Sequence, residues 1–210
     1  LAVARRSAHA HSLALALCHA ALLHHLRRET ADAGERATAA LELAADQGLT
    51  FWVAYARVLR GRALVGTGEN DTALALMAQG IAEYRALGSE VEVPLFAAFY
   101  AEGCLALERP SDGLRMVEGA LDFVERQHVC CHEAELRRLR GELLARSGRN
   151  DPEAELEFRR AMDVARRQSA RMLELRAAMS LSRFLEDRAG PADADAALRS
   201  IFDGFTEGLD

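Results

Sequence analysis

The sequence predicts an all-α protein, an α-solenoid of about five helical hairpins with a period of about 40 residues. Composition gives the first observation: Ala, Leu, Arg and Glu, all strong helix formers, make up 118 of 210 residues, whereas Val and Ile together number 12. The second is an internal repeat, which is the signature of stacked helical hairpins. The third is an apolar spacing of three, four and three residues, which is typical of amphipathic helices.

Small residues recur in one register along the chain, with a one-residue insertion near Pro152. Two helices can pack closely only where a side chain is absent or very short, so these positions are expected at helix crossings. Three series fit the period: Ala21, Gly61, Ala101, Gly141 and Ser182; Ala33, Ala73, Gly113, Ala154 and Ala194; and Ala40, Gly80, Ala120 and Ala161.

Apolar stripes between the small residues define the individual helices. One stripe, Leu74 to Tyr84, recurs 40 residues later at Leu114 to Val124. Gly48 and Gly88 separate hairpins, and all four Pro residues lie at helix starts or in loops, where no helical hydrogen bond is lost. The pattern predicts ten helices, at residues 5–28, 31–47, 50–67, 70–87, 93–108, 111–127, 131–147, 152–168, 170–188 and 191–204.

No long polar linker interrupts this pattern, so residues 1–210 are expected to form a single helical repeat domain. The chain begins at Leu1 rather than Met and has no signal-peptide pattern, which makes us expect a piece of a longer protein. The four cysteines form no Cys-x-x-Cys pair, and reduced thiols in a cytoplasmic protein are the simplest interpretation.

Charge and composition also exclude several classes of function. The formal net charge is −6, which argues against nucleic-acid binding, and no apolar run is long enough to cross a membrane. Because the chain contains no Lys, sites that need a lysine ammonium, such as the phosphate-binding loop of many ATPases, are excluded.

The markers Gly61, Leu64, Gly68, Ala73, Met77 and Gly80 resemble the tetratricopeptide (TPR) pattern, as do Gly141 to Ala161 with one inserted residue. Residues 134–144 (AELRRLRGELL), 174–183 (ELRAAMSLSR) and 205–208 (FTEG) resemble the C-terminal TPR region of bacterial multidomain signalling proteins. These proteins carry a class III nucleotidyl cyclase or regulatory domain, a STAND-type ATPase and a TPR array. The resemblance implies a right-handed solenoid that serves as an interaction or regulatory scaffold, and not the catalytic part.

In TPR arrays the first helix of each hairpin lines an inner groove. The register assigns nine residues to it: Tyr55, Val58, Arg62, Leu95, Ala98, Glu102, Glu135, Arg138 and Glu142. This mixed apolar and charged set suits a protein or peptide segment, for which the parent's own upstream domains are candidates. The alternative is a sensory domain that binds a small effector in the groove, around Tyr55, Phe96 and Phe99.

The sequence offers few candidates for catalytic or metal-binding residues. The ligand spacings of metal sites are absent from Cys130-Cys131-His132 and from the histidines of the first helix. A catalytic Cys/His pair is not expected either, because the adjacent side chains of Cys18 and His19 point in different directions on a helix. We therefore expect no enzyme activity, no metal and no cofactor. Arg137, Arg138, Arg140 and Arg146 offer an anion-binding alternative, although Glu133, Glu135 and Glu142 interleave with them. The first helix is apolar over more than one face, so we expect upstream repeats to cover it in the parent and the isolated chain to form a homodimer through residues 1–28. The alternative is that His9, His11 and the Arg5-Arg6 pair fold back and shield this surface.

Overall fold

The computed structural model describes residues 9–127, 130–148 and 151–189, together with Leu198. This part of the chain is all-helical and contains no strand. Its nine helices are α1 (Ala10–Leu26), α2 (Thr30–Asp46), α3 (Thr50–Leu64), α4 (Asn70–Ala86), α5 (Val93–Ala106), α6 (Pro110–Gln127), α7 (Glu133–Ser147), α8 (Asp151–Arg167) and α9 (Arg171–Ala189). The helix predicted at 191–204 lies outside the described residues, apart from Leu198.

The chain forms two compact units, Leu1–Leu107 and Glu108–Asp210. In unit 1, each helix contacts the next one along the chain, and the first helices α1, α3 and α5 also contact one another in sequence. Unit 2 follows the same rule, because α6 to α9 pack in sequence and α7 also contacts α9. Sequential packing of neighbouring helices is the arrangement expected of a helical repeat. The single repeat domain over 1–210 stays a prediction.

The small residues lie at the helix crossings that the register predicts. The members of all three series that fall within the described residues are buried. A Cβ added to Gly61 in α3 would lie 2.6 Å from the carbonyl oxygen of Ala73 in α4. In the opposite direction, a Cβ on Gly80 of α4 would lie 2.7 Å from the carbonyl oxygen of Ala54. The α3–α4 hairpin therefore packs backbone against backbone at two points, which accounts for glycine at both positions.

The turns repeat with the same period as the helices. Backbone φ angles are positive at Arg28, Gly68, Glu108 and Gly148, four positions spaced by 40 residues that each follow a first helix. A second set, Gly48, Gly88 and Ser169, follows second helices, and the one-residue insertion accounts for the shift to 169. A residue in the left-handed region commonly ends a helix, so the backbone conformation of the turns repeats with the same period as the helices.

The predicted end of the third helix needs correction. The third helix ends at Leu64 rather than at residue 67, because Gly66 and Gly68 both adopt positive φ. The fourth helix begins at Asn70, as predicted, and the Asn70 side chain accepts a hydrogen bond from the Gly66 backbone N–H at 3.2 Å. Nowhere in the described part of the chain is a helix both long enough and apolar enough to cross a membrane.

Candidate functional site

Three of the predicted groove residues of unit 1 belong to its core. Tyr55, Val58 and Ala98 are at most 4% exposed. Val58 lies against the crossing at Gly80, so its side chain packs on α4 and offers no surface to a ligand. Leu95 is half-buried. The apolar part of the predicted groove is thus largely occupied by the protein's own packing.

The charged groove residues of unit 1 pair with each other. The Arg62 guanidinium donates to the Glu102 carboxylate at 2.9 Å, which joins α3 to α5 across one repeat period. Nearby, the His25 Nε2–H donates to the carbonyl oxygen of Leu59 at 3.0 Å and joins α1 to α3. Burial lowers the pKa of His25 to about 4, so the ring is neutral at neutral pH. Polar contacts therefore connect the three first helices on this face.

The equivalent residues of unit 2 form a denser network. Arg138 donates to both oxygens of Glu135, at 2.6 and 3.0 Å, and to Glu142 at 3.1 Å. From α9, Ser180 donates to Glu142 at 2.7 Å and accepts from Arg138 at 3.2 Å. Arg176 pairs with Glu135 at 2.9 Å. The structure thus brings the three predicted residues together, but in a network that satisfies its own charges.

A second network in unit 2 surrounds Glu157, a carboxylate that is fully buried. Arg160 and Arg140 lie 2.7 and 3.0 Å from one of its oxygens, and Arg137 lies 3.5 Å from the other. Arg137 and Arg140 also reach glutamates of α6. These guanidinium groups already bind carboxylates of the chain, which weakens the alternative that they bind an external anion. The sequence pattern does not distinguish this buried glutamate from the many other glutamates on the helices.

A deep cavity around Tyr55, Phe96 and Phe99 would favour the effector alternative. Tyr55 and Phe96 instead pack edge to face, with ring centroids 5.0 Å apart. The Tyr55 hydroxyl and the Trp52 Nε1–H are buried and have no hydrogen-bond partner in the described part of the chain. Burial raises the pKa of the Tyr55 hydroxyl. Tyr55, Phe96 and Phe99 are therefore part of the core of unit 1, and the effector alternative stays a prediction.

Groups that could bind a metal or act as nucleophiles are few among the described residues. His24, Glu29 and Asp32 offer ligand atoms within 4.8 Å of one another at the α1–α2 turn, a group that the sequence analysis missed because it needs the geometry of the turn. His24 Nδ1 and Glu29 Oε2 lie 2.6 Å apart, and Arg27 also pairs with Glu29, so Glu29 already has two partners within the chain. Burial raises the pKa of the Cys18 thiol to about 12, which disfavours it as a nucleophile.

Comparison with known proteins adds no relative: no family model matches the chain, and neither does any curated protein.

Proposed function

We propose that this chain is a protein–protein interaction or regulatory scaffold module of a bacterial signalling protein of the ATPase or cyclase type. The observation that carries the proposal is the 40-residue recurrence of positive φ at Arg28, Gly68, Glu108 and Gly148, because such periodicity supports a stack of equivalent hairpins. Stacked hairpins present continuous side-chain surfaces, which is how repeat proteins bind partners. The resemblance of residues 134–144 to the TPR region of such proteins gives the proposal its context.

The finer form of the proposal is a right-handed, TPR-like α-solenoid in the cytoplasm. Its partner is a protein or peptide segment, for which the parent's own upstream domains are the first candidates. The segment itself is proposed to carry no catalytic site, and neither nucleic acid nor a membrane is proposed as a partner.

Self-association through the first helix is a second part of the proposal. Leu15, Leu23 and Leu26 of α1 are 41%, 55% and 66% exposed. We propose that they belong to an apolar surface that a second copy covers, because large exposed apolar patches mark interaction sites. A two-fold contact between copies of α1 would cover these side chains.

The test of the regulatory role uses the complete product of the gene. Nucleotide turnover, either hydrolysis or cyclisation, is measured for the complete product and for a variant that lacks residues 1–210. The proposal predicts a change in turnover, and adding the isolated chain in trans should reverse it. Identical turnover in both proteins would contradict a regulatory role.

A further inference from the structure

Unit 1 has open space along α3, and its lining does not include the paired residues His25, Arg62 and Glu102. Two cavities, of about 810 and 420 Å³, lie end to end along α3. The larger one is lined by residues 30–42 of α2 and by the C-terminal part of α3, and the smaller one by the N-terminal part of α3 and the end of α4. Within the described part of unit 1, α2 and α4 do not contact each other. We call this space, with α2 and α4 as walls and α3 as floor, the outer groove.

The walls and floor of the outer groove suit a helix. The wall on α2 includes Ala31 and Ala39, whose short side chains are exposed or half-buried, whereas Ala63 and Leu64 of the floor are buried. Short side chains allow a second helix to approach at the 8–10 Å axial distance of ordinary helix packing. The floor runs from Val53 to Leu64, which is about 17 Å at 1.5 Å per residue, or about three helical turns.

The charges around the groove indicate which helix it suits. Glu35, Glu42 and Glu69 are exposed at the larger cavity, and Arg60 is half-buried on its floor. Glu35 pairs with its neighbour Arg36 at 2.9 Å. The side chains of Glu42 and Glu69 form no hydrogen bond or ion pair among the described residues. At the smaller cavity Arg57 and Glu83 pair with each other, which leaves that end neutral. With Glu42 and Glu69 negative and Arg60 positive, the unbalanced charge of the groove is −1.

We propose that the outer groove, and not the inner face, binds the partner, and that the partner segment is a basic amphipathic helix of about three turns. Its buried face consists of Ala and Leu, and its flanks carry Arg or Lys opposite Glu42 and Glu69. This inference rests on the proposed interaction function and names the surface that performs it. Opposite charges at the rim set the orientation and accelerate association, while the small-residue wall provides close packing.

The experiment uses two synthetic helical peptides with the same Ala/Leu face, one flanked by Arg and the other by Glu, each with a fluorescent label for anisotropy titration. The Arg peptide is expected to bind the chain with saturation, and the Glu peptide about ten-fold more weakly or not at all. Glu42→Arg should weaken the Arg peptide by about five-fold or more, since it replaces an attraction with a repulsion. Glu90→Arg, at an exposed loop residue that lines neither cavity, is the matched control and should leave binding within about two-fold.

The outcomes distinguish failure of the groove assignment from failure of the proposed function. No binding of the Arg peptide, equal binding of both peptides, or equal weakening by Glu42→Arg and Glu90→Arg would each overturn the groove assignment. If the groove assignment fails while deletion of residues 1–210 still changes turnover, the interaction function stands and its surface lies elsewhere. If the Arg peptide binds at Glu42 while the deletion changes nothing, the groove stands and the regulatory role fails.

Discussion

At Gly61 the absence of a side chain allows α3 and α4 to pack closely. In Gly61→Ala the new Cβ would meet the Ala73 carbonyl oxygen at 2.6 Å and the Met77 backbone nitrogen at 2.9 Å, so α3 and α4 must move apart. We expect the free energy of unfolding to fall by about 1–3 kcal/mol in urea titrations.

The matched control for Gly61 is Gly34→Ala in the same unit. Its Cβ would lie 3.5 Å from the Ala63 Cβ, which is an ordinary contact. Because alanine favours helices over glycine, this variant should gain about 0.5–1 kcal/mol. Equal stability of Gly61→Ala and Gly34→Ala would show that the α3–α4 crossing is not as close as described.

Ser169 occupies a turn position that its counterparts Gly48 and Gly88 fill with glycine. Its φ of +55° costs an L-residue about 1–2 kcal/mol. We expect Ser169→Gly to raise the free energy of unfolding by about 0.5–1 kcal/mol. The reverse change in the same unit, Gly148→Ala, should lower it by about 1 kcal/mol, although nothing lies within 4 Å of the added Cβ. Urea titrations in which both variants shift in the same direction would contradict this reasoning.

These turns also mark a limit of sequence analysis. Gly48 and Gly88 are predicted to separate hairpins, and both adopt positive φ in the structure, as do Gly68 and Gly148. Arg28, Glu108 and Ser169 adopt the same conformation with side chains that disfavour it, so their residue types give no signal. Only the 40-residue spacing from the glycines could have identified them.

At the level of the helices, His25 makes the contact between α1 and α3 sensitive to pH. Its pKa is about 4 in the folded protein and about 6.5 in the unfolded chain, so the unfolded state binds more protons between these values. The contribution of His25 to stability is therefore complete above pH 6.5 and is lost as the pH falls towards 4. We expect the urea midpoint to decrease from pH 6.5 to pH 4.5.

The control for this prediction compares two histidine variants. His25→Gln retains a side-chain donor for the Leu59 carbonyl but has no proton to bind, so its midpoint should vary less over this range. His11→Gln, at an exposed position, should retain the pH dependence of the unmodified chain. If His25→Gln also retains it, the dependence arises from another group.

The positions of the helices could largely be predicted from the sequence, whereas the residues that reach solvent in the groove could not. The repeat register identified the buried stripes correctly, for example Leu74, Met77, Ile81 and Tyr84 on α4. The same register placed Tyr55 and Val58 in the inner groove, but both are buried. Equivalence between repeats fixes which residues correspond, while the tilt of each helix against its neighbours decides which of them reach solvent.

For the molecule as a whole, we predict self-association through α1. The double variant Leu23→Glu, Leu26→Glu removes two exposed leucines and should reduce the mass measured by light scattering to that of a monomer. Met172→Glu, which also replaces an exposed apolar side chain, is the control and should leave the mass unchanged. A monomeric mass for the unmodified chain at about 100 µM would contradict the proposed contact.

The most direct test of the central proposal is a calorimetric titration of this chain against the upstream ATPase or cyclase domains of the proposed parent protein. An interaction module is expected to give saturable heat with a fixed stoichiometry and a dissociation constant below about 100 µM. Binding should persist in Leu23→Glu, Leu26→Glu, because the proposed partner surface is not on α1. Heats of dilution alone at this concentration, with both proteins folded, would contradict the proposal that this chain acts by binding its neighbouring domains.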